Sequence, residues 1–264
     1  PNFFAARTWE SVVKKVEFIS RPDQTGNVMR RAFHALRSGT TGPVVVEMPI
    51  DVCMADIPDR AQPYTSPMPA VSGPSPHDLD DAAKALVAAK NPLIWAGAGV
   101  LTAGATEELR ELAELLDIPV YTSMPGKSAF DERHPLALGA GGSTVTGPAR
   151  QWLDDADVIF AVGASLTSSP YAQRFSPEKF LIHSVINIDE INKDTVADIG
   201  LAGDARLTLT AMLDLVKGLV GEDGRNTGVQ ERIAVARSEW MESWRPYLTN
   251  DDAPLSPYRV IHEM

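Results

Sequence analysis

The stretch NPLIWAGAGVLTAG, Asn91 to Gly104, constrains the fold of this chain more than any other. Four apolar residues after a proline, Leu93 to Ala96, predict a short buried strand, and Gly97, Gly99 and Gly104 let the backbone turn sharply. A helix is expected next, with Thr106 as its N-cap, Glu107 and Glu108 in the first turn, and Leu109, Leu112, Ala113 and Leu116 along one face. Ile118 to Tyr121 reads as the following strand. Strand, glycine turn, helix and strand make a βαβ unit whose first loop can bring backbone N–H groups and a helix N-terminus to an anionic group. The spacing is G-x-G-x4-G rather than the G-x-G-x-x-G of the dinucleotide fingerprint. A turn that serves only tight strand-to-helix packing therefore stays open beside the anion-binding reading.

The rest of the chain extends that unit. Val158 to Val162 and Val185 to Ile188 read as strands, ending in Gly163 and Asp189. Helices are expected from Ser75 or Asp78 to Ala89, from Pro148 to Asp155, and from Ala205 to Val216. Leu136-Ala137-Leu138 runs into GAGGSTVTG, a flexible glycine stretch, and Thr122 to Lys127 leaves the end of the second strand. Alternating strands and helices with short loops predict a doubly wound α/β fold, a parallel sheet covered on both faces, between residues 76 and 218. Ligands of such sheets sit at the carboxyl ends of the strands.

Before this domain lies a different kind of sequence. Asp23 is placed to cap a helix carrying Val28, Ala32, Phe33, Ala35 and Leu36, stopped by Gly39 and Gly42. Pro43 to Pro49 is a β-branched strand, and Glu47 near its end is read as a paired or solvated carboxylate. Residues 1–55 are expected to form only part of an α/β domain, with the strand at 44–48 lacking neighbours and Phe3, Phe4 and Trp9 on exposed apolar surface. Residues 56–75, rich in proline, predict an extended linker. After residue 218 a polar tail includes GEDGRN, a solvated turn to which no metal is assigned, and a helix from Glu231 to Trp244 ended by Pro246.

At 264 residues and 44% hydrophobic content the chain can bury an ordinary core. A net charge of -11 argues against broad binding of nucleic acid or an anionic membrane, and no apolar run approaches a bilayer span. The single cysteine, Cys53, excludes an intrachain disulfide and reads as a small buried hydrophobe, in keeping with a reducing cytoplasm.

Six segments, GTTGPVVVEMPIDV, NPLIWAGAGV, IPVYTSMPGKSAF, DDADVIFAVGASL, INIDEINKD and GDARLTL, occur in the order found in the thiamine-diphosphate enzyme family that includes acetolactate synthase, and the chain resembles that family nearly throughout. The resemblance implies that residues 1–55 are the last part of a pyrimidine-binding domain. It implies that residues 76–218 are a Rossmann-like central domain, and that residues 219–264 lead towards a pyrophosphate-binding domain. The parent enzyme would decarboxylate a 2-keto acid and pass the carbanion to an acceptor, using thiamine diphosphate and Mg. Glu47 does not match the family's cofactor-activating glutamate, and by this resemblance neither cofactor-binding half is complete in the chain, which is therefore expected to be inactive alone. Its expected partners are the remaining part of the same enzyme and further copies in a homo-oligomer. The alternative is a non-catalytic nucleotide- or flavin-binding module of the same architecture.

The resemblance also implies a ligand for the central domain, since acetolactate synthases bind FAD there and oxalyl-CoA decarboxylase relatives bind ADP. Carried over by position, the contacts are Gly97, Ala98 and Gly99, then Ser123 and Met124, Gly163 and Ala164, Asn187 and Ile188, and Asp204 and Ala205. Acetolactate synthases have an Arg where this chain has Ser165 and an acid where it has Asn187. Losing a charge-assisted hydrogen bond of about 1.5–3 kcal/mol implies a weak or vestigial nucleotide site rather than tightly held FAD.

Overall fold

Chain contacts in the computed structural model, which describes residues 5–59, 61 and 63–264, divide at Ser72 and Gly73 into two units. The first contains α1 (Ala5–Trp9), β1 (Lys15–Phe18), α2 (Thr25–Arg37), β2 (Val44–Glu47) and α3 (Ile50–Cys53). β1 and β2 pair in parallel, with Lys15 opposite Val44 and Phe18 opposite Glu47. The strand expected to stand alone therefore has one neighbour. That neighbour, KVEF, escapes a hydrophobic-pattern reading because two of its four residues are charged. Glu17 is nevertheless buried, and Arg31 at 2.9 Å and Lys15 at 2.8 Å neutralise it.

α2 buries Val28 and Ala32, while Leu36 stays on the surface. Asp23 does not cap it: Asp23 sits in a 3-10 turn, Pro22–Gln24, and its Oδ1 accepts from Arg21 Nε at 3.0 Å, leaving Gln24 as the N-cap residue. Glu47 Oε2 accepts the Ala6 N–H at 3.0 Å. Cys53 is exposed rather than buried, because α3 is a single turn whose neighbours Ile50 and Met54 are also exposed. Phe3 and Phe4 lie outside the described residues. From 55 to 75 the described residues form no helix or strand.

The second unit contains α4 (Pro76–Ala88), β3 (Pro92–Ala96), α5 (Ala98–Ala103), α6 (Thr106–Leu116), β4 (Val120–Ser123), β5 (Ala137–Gly141), α7 (Gly147–Asp155), β6 (Val158–Val162), β7 (Phe180–Val185), β8 (Ile199–Ala202), α8 (Ala205–Val220), α9 (Val229–Leu248) and α10 (Pro257–His262). Its six strands run in the order β5-β4-β3-β6-β7-β8, and every pairing is parallel. β3 and β6 are central, with Leu93 beside Ile159 and Ile94 beside Phe160, all fully buried. Only strands covered on both faces carry such unbroken apolar runs. α4, α5 and α6 all pack on α8, and α7 packs on α9. α6 lies in the β3-to-β4 connection and α7 in the β5-to-β6 connection, which crosses the sheet in the opposite direction, so the right-handed rule for parallel crossovers puts the two helices on opposite faces.

Several elements lie elsewhere than expected. Residues 98–103 of the glycine turn form α5, which ends at Gly104 in the left-handed conformation, φ 63°. Thr106 is then the first residue of α6 rather than its cap, Ala105 being the N-cap. The strand expected at 118–121 is β4, two residues later, because Ile118 N–H still closes the helix end on Ala113 O at 2.9 Å. The strand expected at 185–188 is β7, which ends at Val185. β5 begins at Ala137 and runs into the glycine stretch as far as Gly141, and β8, IGLA, has no counterpart among the expected strands. α9 continues past Pro246 to Leu248 and buries Val229 and Ile233, so residues after 218 also contribute to the core.

Candidate functional site

Because all six strands are parallel, their carboxyl ends share one edge, and the eleven residues implicated by the resemblance lie along it. Gly97, Ala98 and Gly99 follow β3; Ser123 ends β4 and Met124 follows it; Gly163 and Ala164 follow β6; Asn187 and Ile188 follow β7; Asp204 and Ala205 follow β8. The strand order turns outwards in both directions from β3 and β6, and this switch point is where a doubly wound sheet opens its ligand crevice.

Here the two central loops close on one another. Gly97 N–H donates to Val162 O at 2.9 Å, Gly99 N–H to Gly163 O at 2.8 Å, and Gly163 N–H to Ser184 O at 2.8 Å. A Cβ on Gly97 would lie 2.3 Å from Gly163 O, and one on Gly99 would lie 2.6 Å from the Gly163 Cα. Gly126, which the sequence does not distinguish from any other turn glycine, joins them: its Cβ would meet Ala96 O at 2.6 Å. The contacts of Gly97 and Gly99 with Gly163 run loop against loop, between the turns that leave β3 and β6.

The other positions are also engaged locally. Ser123 Oγ accepts Gly126 N–H at 3.2 Å. Asn187 Oδ1 accepts Asp189 N–H at 3.1 Å. Asp204 caps α8, accepting from Arg206 N–H at 2.9 Å and Leu207 N–H at 3.1 Å. A carboxylate thus already occupies the positive end of that helix. Ala98 and Ala205 are the first helical residues of α5 and α8, while Met124 and Ile188 expose their side chains.

Four buried side chains near this edge were not singled out from the sequence. His183 on β7 donates from Nε2 to Ala164 O at 2.8 Å, and its Nδ1 is buried without a partner. Burial holds its pKa below the ordinary value, against the opposing influence of the Ala164 carbonyl and Glu190. Ser184 Oγ, Tyr121 Oη and Gln173 Oε1 are likewise buried and unpaired. Burial pushes the Tyr121 hydroxyl up to about 12, and its ring packs edge-on against Trp95 at 4.9 Å. For Tyr121, His183 and Ser184 the only signal in the sequence is a polar residue within an apolar strand, a pattern that core histidines and tyrosines share, and Gln173 lies in the irregular segment between β6 and β7.

Clefts also lie away from this edge among the described residues. One of about 590 Å³ is lined by Arg110, Lys127, Ser128, Phe130, Arg133 and His134. Its cations are spoken for: Arg110 by Glu107 and Glu114, Lys127 by Glu132, and Arg133 by Asp131. Another, about 460 Å³, lies at the amino end of the sheet and includes Lys90, Trp152, Arg225 and Arg232. No three His, Cys, Asp or Glu side chains converge as metal ligands among the described residues. No described helix is long and apolar enough to cross a membrane.

Comparison with known proteins agrees with this architecture. Residues 79–212 match the family described as thiamine pyrophosphate enzyme, central domain. The chain is 32% identical over 267 residues to a probable acetolactate synthase large subunit of Methanococcus aeolicus, covering 96% of this chain and 44% of that protein. It is 34% identical over 254 residues to the corresponding protein of Methanocaldococcus jannaschii, covering 93% of this chain and 42% of the relative. A solved structure of a putative thiamin diphosphate-dependent enzyme from Mycobacterium smegmatis superposes with a TM-score of 0.70 at 25% identity, over 80% of this chain and 41% of that one. The chain thus spans less than half the length of these relatives. It belongs to the thiamine pyrophosphate enzyme family, and residues 79–212 are that family's central domain.

Proposed function

We propose that this chain is the central portion of a thiamine-diphosphate-dependent 2-keto acid decarboxylase or carboligase of the acetolactate synthase type, and that it is inactive alone. The observation that carries this reading is the match to acetolactate synthase large subunits over 96% of the chain but only 44% of the relative. Thiamine diphosphate, when bound, supplies the nucleophile and electron sink for 2-keto acid chemistry. Its residues and those of Mg would come from the remaining polypeptide. The role of this chain is then positional: a rigid parallel sheet, a proline-rich connection, and a small unit whose two-stranded sheet needs further strands to be covered. Its exposed apolar residues, including Trp9, Phe18, Ile50 and Met54, suit assembly with that polypeptide and with further copies. The single cysteine suits a reducing cytoplasm.

The test is an assay of the purified chain with pyruvate, thiamine diphosphate and Mg. Neither carbon dioxide release nor acetolactate is expected. Turnover by the chain alone would overturn the reading.

A further inference from the structure

We propose that the crevice between β3 and β6 is a closed glycine lock, and that this central domain consequently holds neither FAD nor ADP. A nucleotide diphosphate at a switch point needs free backbone N–H groups, room for its oxygens, and positive charge. The N–H groups of Gly97, Gly99 and Gly163 are all consumed by neighbouring carbonyls at 2.8–2.9 Å. The room is taken as well. In a phosphate cradle the missing Cβ leaves space for ligand, whereas a Cβ on Gly97, Gly99, Gly126 or Gly163 would meet protein backbone within 2.6 Å. These glycines are small because their loops touch one another.

Charge is lacking too. None of the eleven edge positions is basic, and the N-terminus of α8 is filled by the carboxylate of Asp204. Nearby cations have acidic partners, Lys193 with Glu190 and Arg206 with Glu108 at 2.7 Å. A diphosphate entering here would break the Gly99 to Gly163 hydrogen bond and find no basic residue among the eleven edge positions.

The experiment combines titration of the purified chain with ADP and with FAD by calorimetry, dialysis after FAD loading, and amide hydrogen exchange. A lock predicts no saturable heat, no retained flavin band, and Gly99 and Gly163 amides slowed at least about a thousandfold in the ligand-free protein. Saturable binding of either nucleotide would overturn it, and so would exchange of the Gly99 amide at the rate of an open loop. The Asp204→Asn variant separates charge from closure: it is expected to bind no ADP either. If it gained ADP binding, the carboxylate and not the lock would be the barrier, and the proposal would fail.

Discussion

The carboxylate of Asp117 accepts the backbone N–H of Thr227 at 2.7 Å across 110 residues of sequence, tying the end of α6 to the start of α9. The Thr227 hydroxyl adds a bond at 2.9 Å and Gln230 Nε2 another at 3.1 Å. Asp117 itself is left-handed, φ 52°, at the C-cap of α6. One buried acid thus ends one helix and anchors another. Removing it in Asp117→Ala should cost about 2–3 kcal/mol, as expected for charged hydrogen bonds whose donors are left buried. Denaturant unfolding measures this, and a loss below about 0.5 kcal/mol would show that α9 does not depend on the clasp.

The same residue carries a pH signature. Burial raises the Asp117 pKa, but hydrogen bonds from Thr227, Gln230 and Val229 outweigh it and leave the value below 3.8. A depressed carboxylate contributes stability that is present above its unfolded pKa and is lost as pH falls through the folded one. His183 acts over a different window. Burial lowers its pKa below 6.5, so the unfolded chain takes up its proton first and stability declines as pH drops beneath that value. Thermal unfolding between pH 7 and 5 should therefore fall in the wild type and fall less in His183→Phe. Equal slopes would remove His183 as the cause.

Much of the sheet was legible because its central strands are unbroken apolar runs. Leu93 to Ala96 and Val158 to Val162 could be placed within one residue. β5 and β8 were hidden for a physical reason: ALGAG is mostly Gly and Ala, and IGLA is four residues long with a glycine inside it, so neither shows the unbroken β-branched or aromatic run that marks a strand. The candidate site was legible in position only. Parallel topology dictates that Gly97, Gly163 and Asn187 share an edge, but whether the glycine N–H groups face a ligand or a neighbouring carbonyl depends on the path of the loops that leave β3 and β6, which no local pattern encodes.

Two glycines should respond oppositely to an added methyl. Gly163, at φ 62° with a Cβ position 2.6 Å from Val100 N, cannot accept one. Gly163→Ala is expected to lose about 3 kcal/mol or more. Gly218 lies within α8 with open space around it. Gly218→Ala should gain about 0.5–1 kcal/mol through helix propensity. Loss in both variants would contradict the packing described for α8.

Ser128 holds a positive φ of 75° without being glycine. Since that conformation costs an ordinary residue about 1–2 kcal/mol, Ser128→Gly should stabilise by about 0.5–1 kcal/mol after the added freedom of the unfolded chain is subtracted. A drop in the unfolding midpoint would mean that the Ser128 side chain contributes more than its backbone costs.

The first unit presents Val12, Phe18, Met48, Ile50, Met54 and Ile57 to solvent. So much apolar surface beside a two-stranded sheet should drive self-association of the isolated chain. Light scattering over a range of concentrations should show mass rising above one chain, and a constant 28.5 kDa would argue otherwise.

The central claim is that this chain supplies the scaffold of a thiamine-diphosphate enzyme without itself holding the cofactor. Titration of the purified chain with thiamine diphosphate and Mg, followed by its unfolding temperature, tests it most directly, because any ligand bound only by the folded state must raise that temperature. The account predicts no shift at any cofactor concentration. A saturable rise would contradict it.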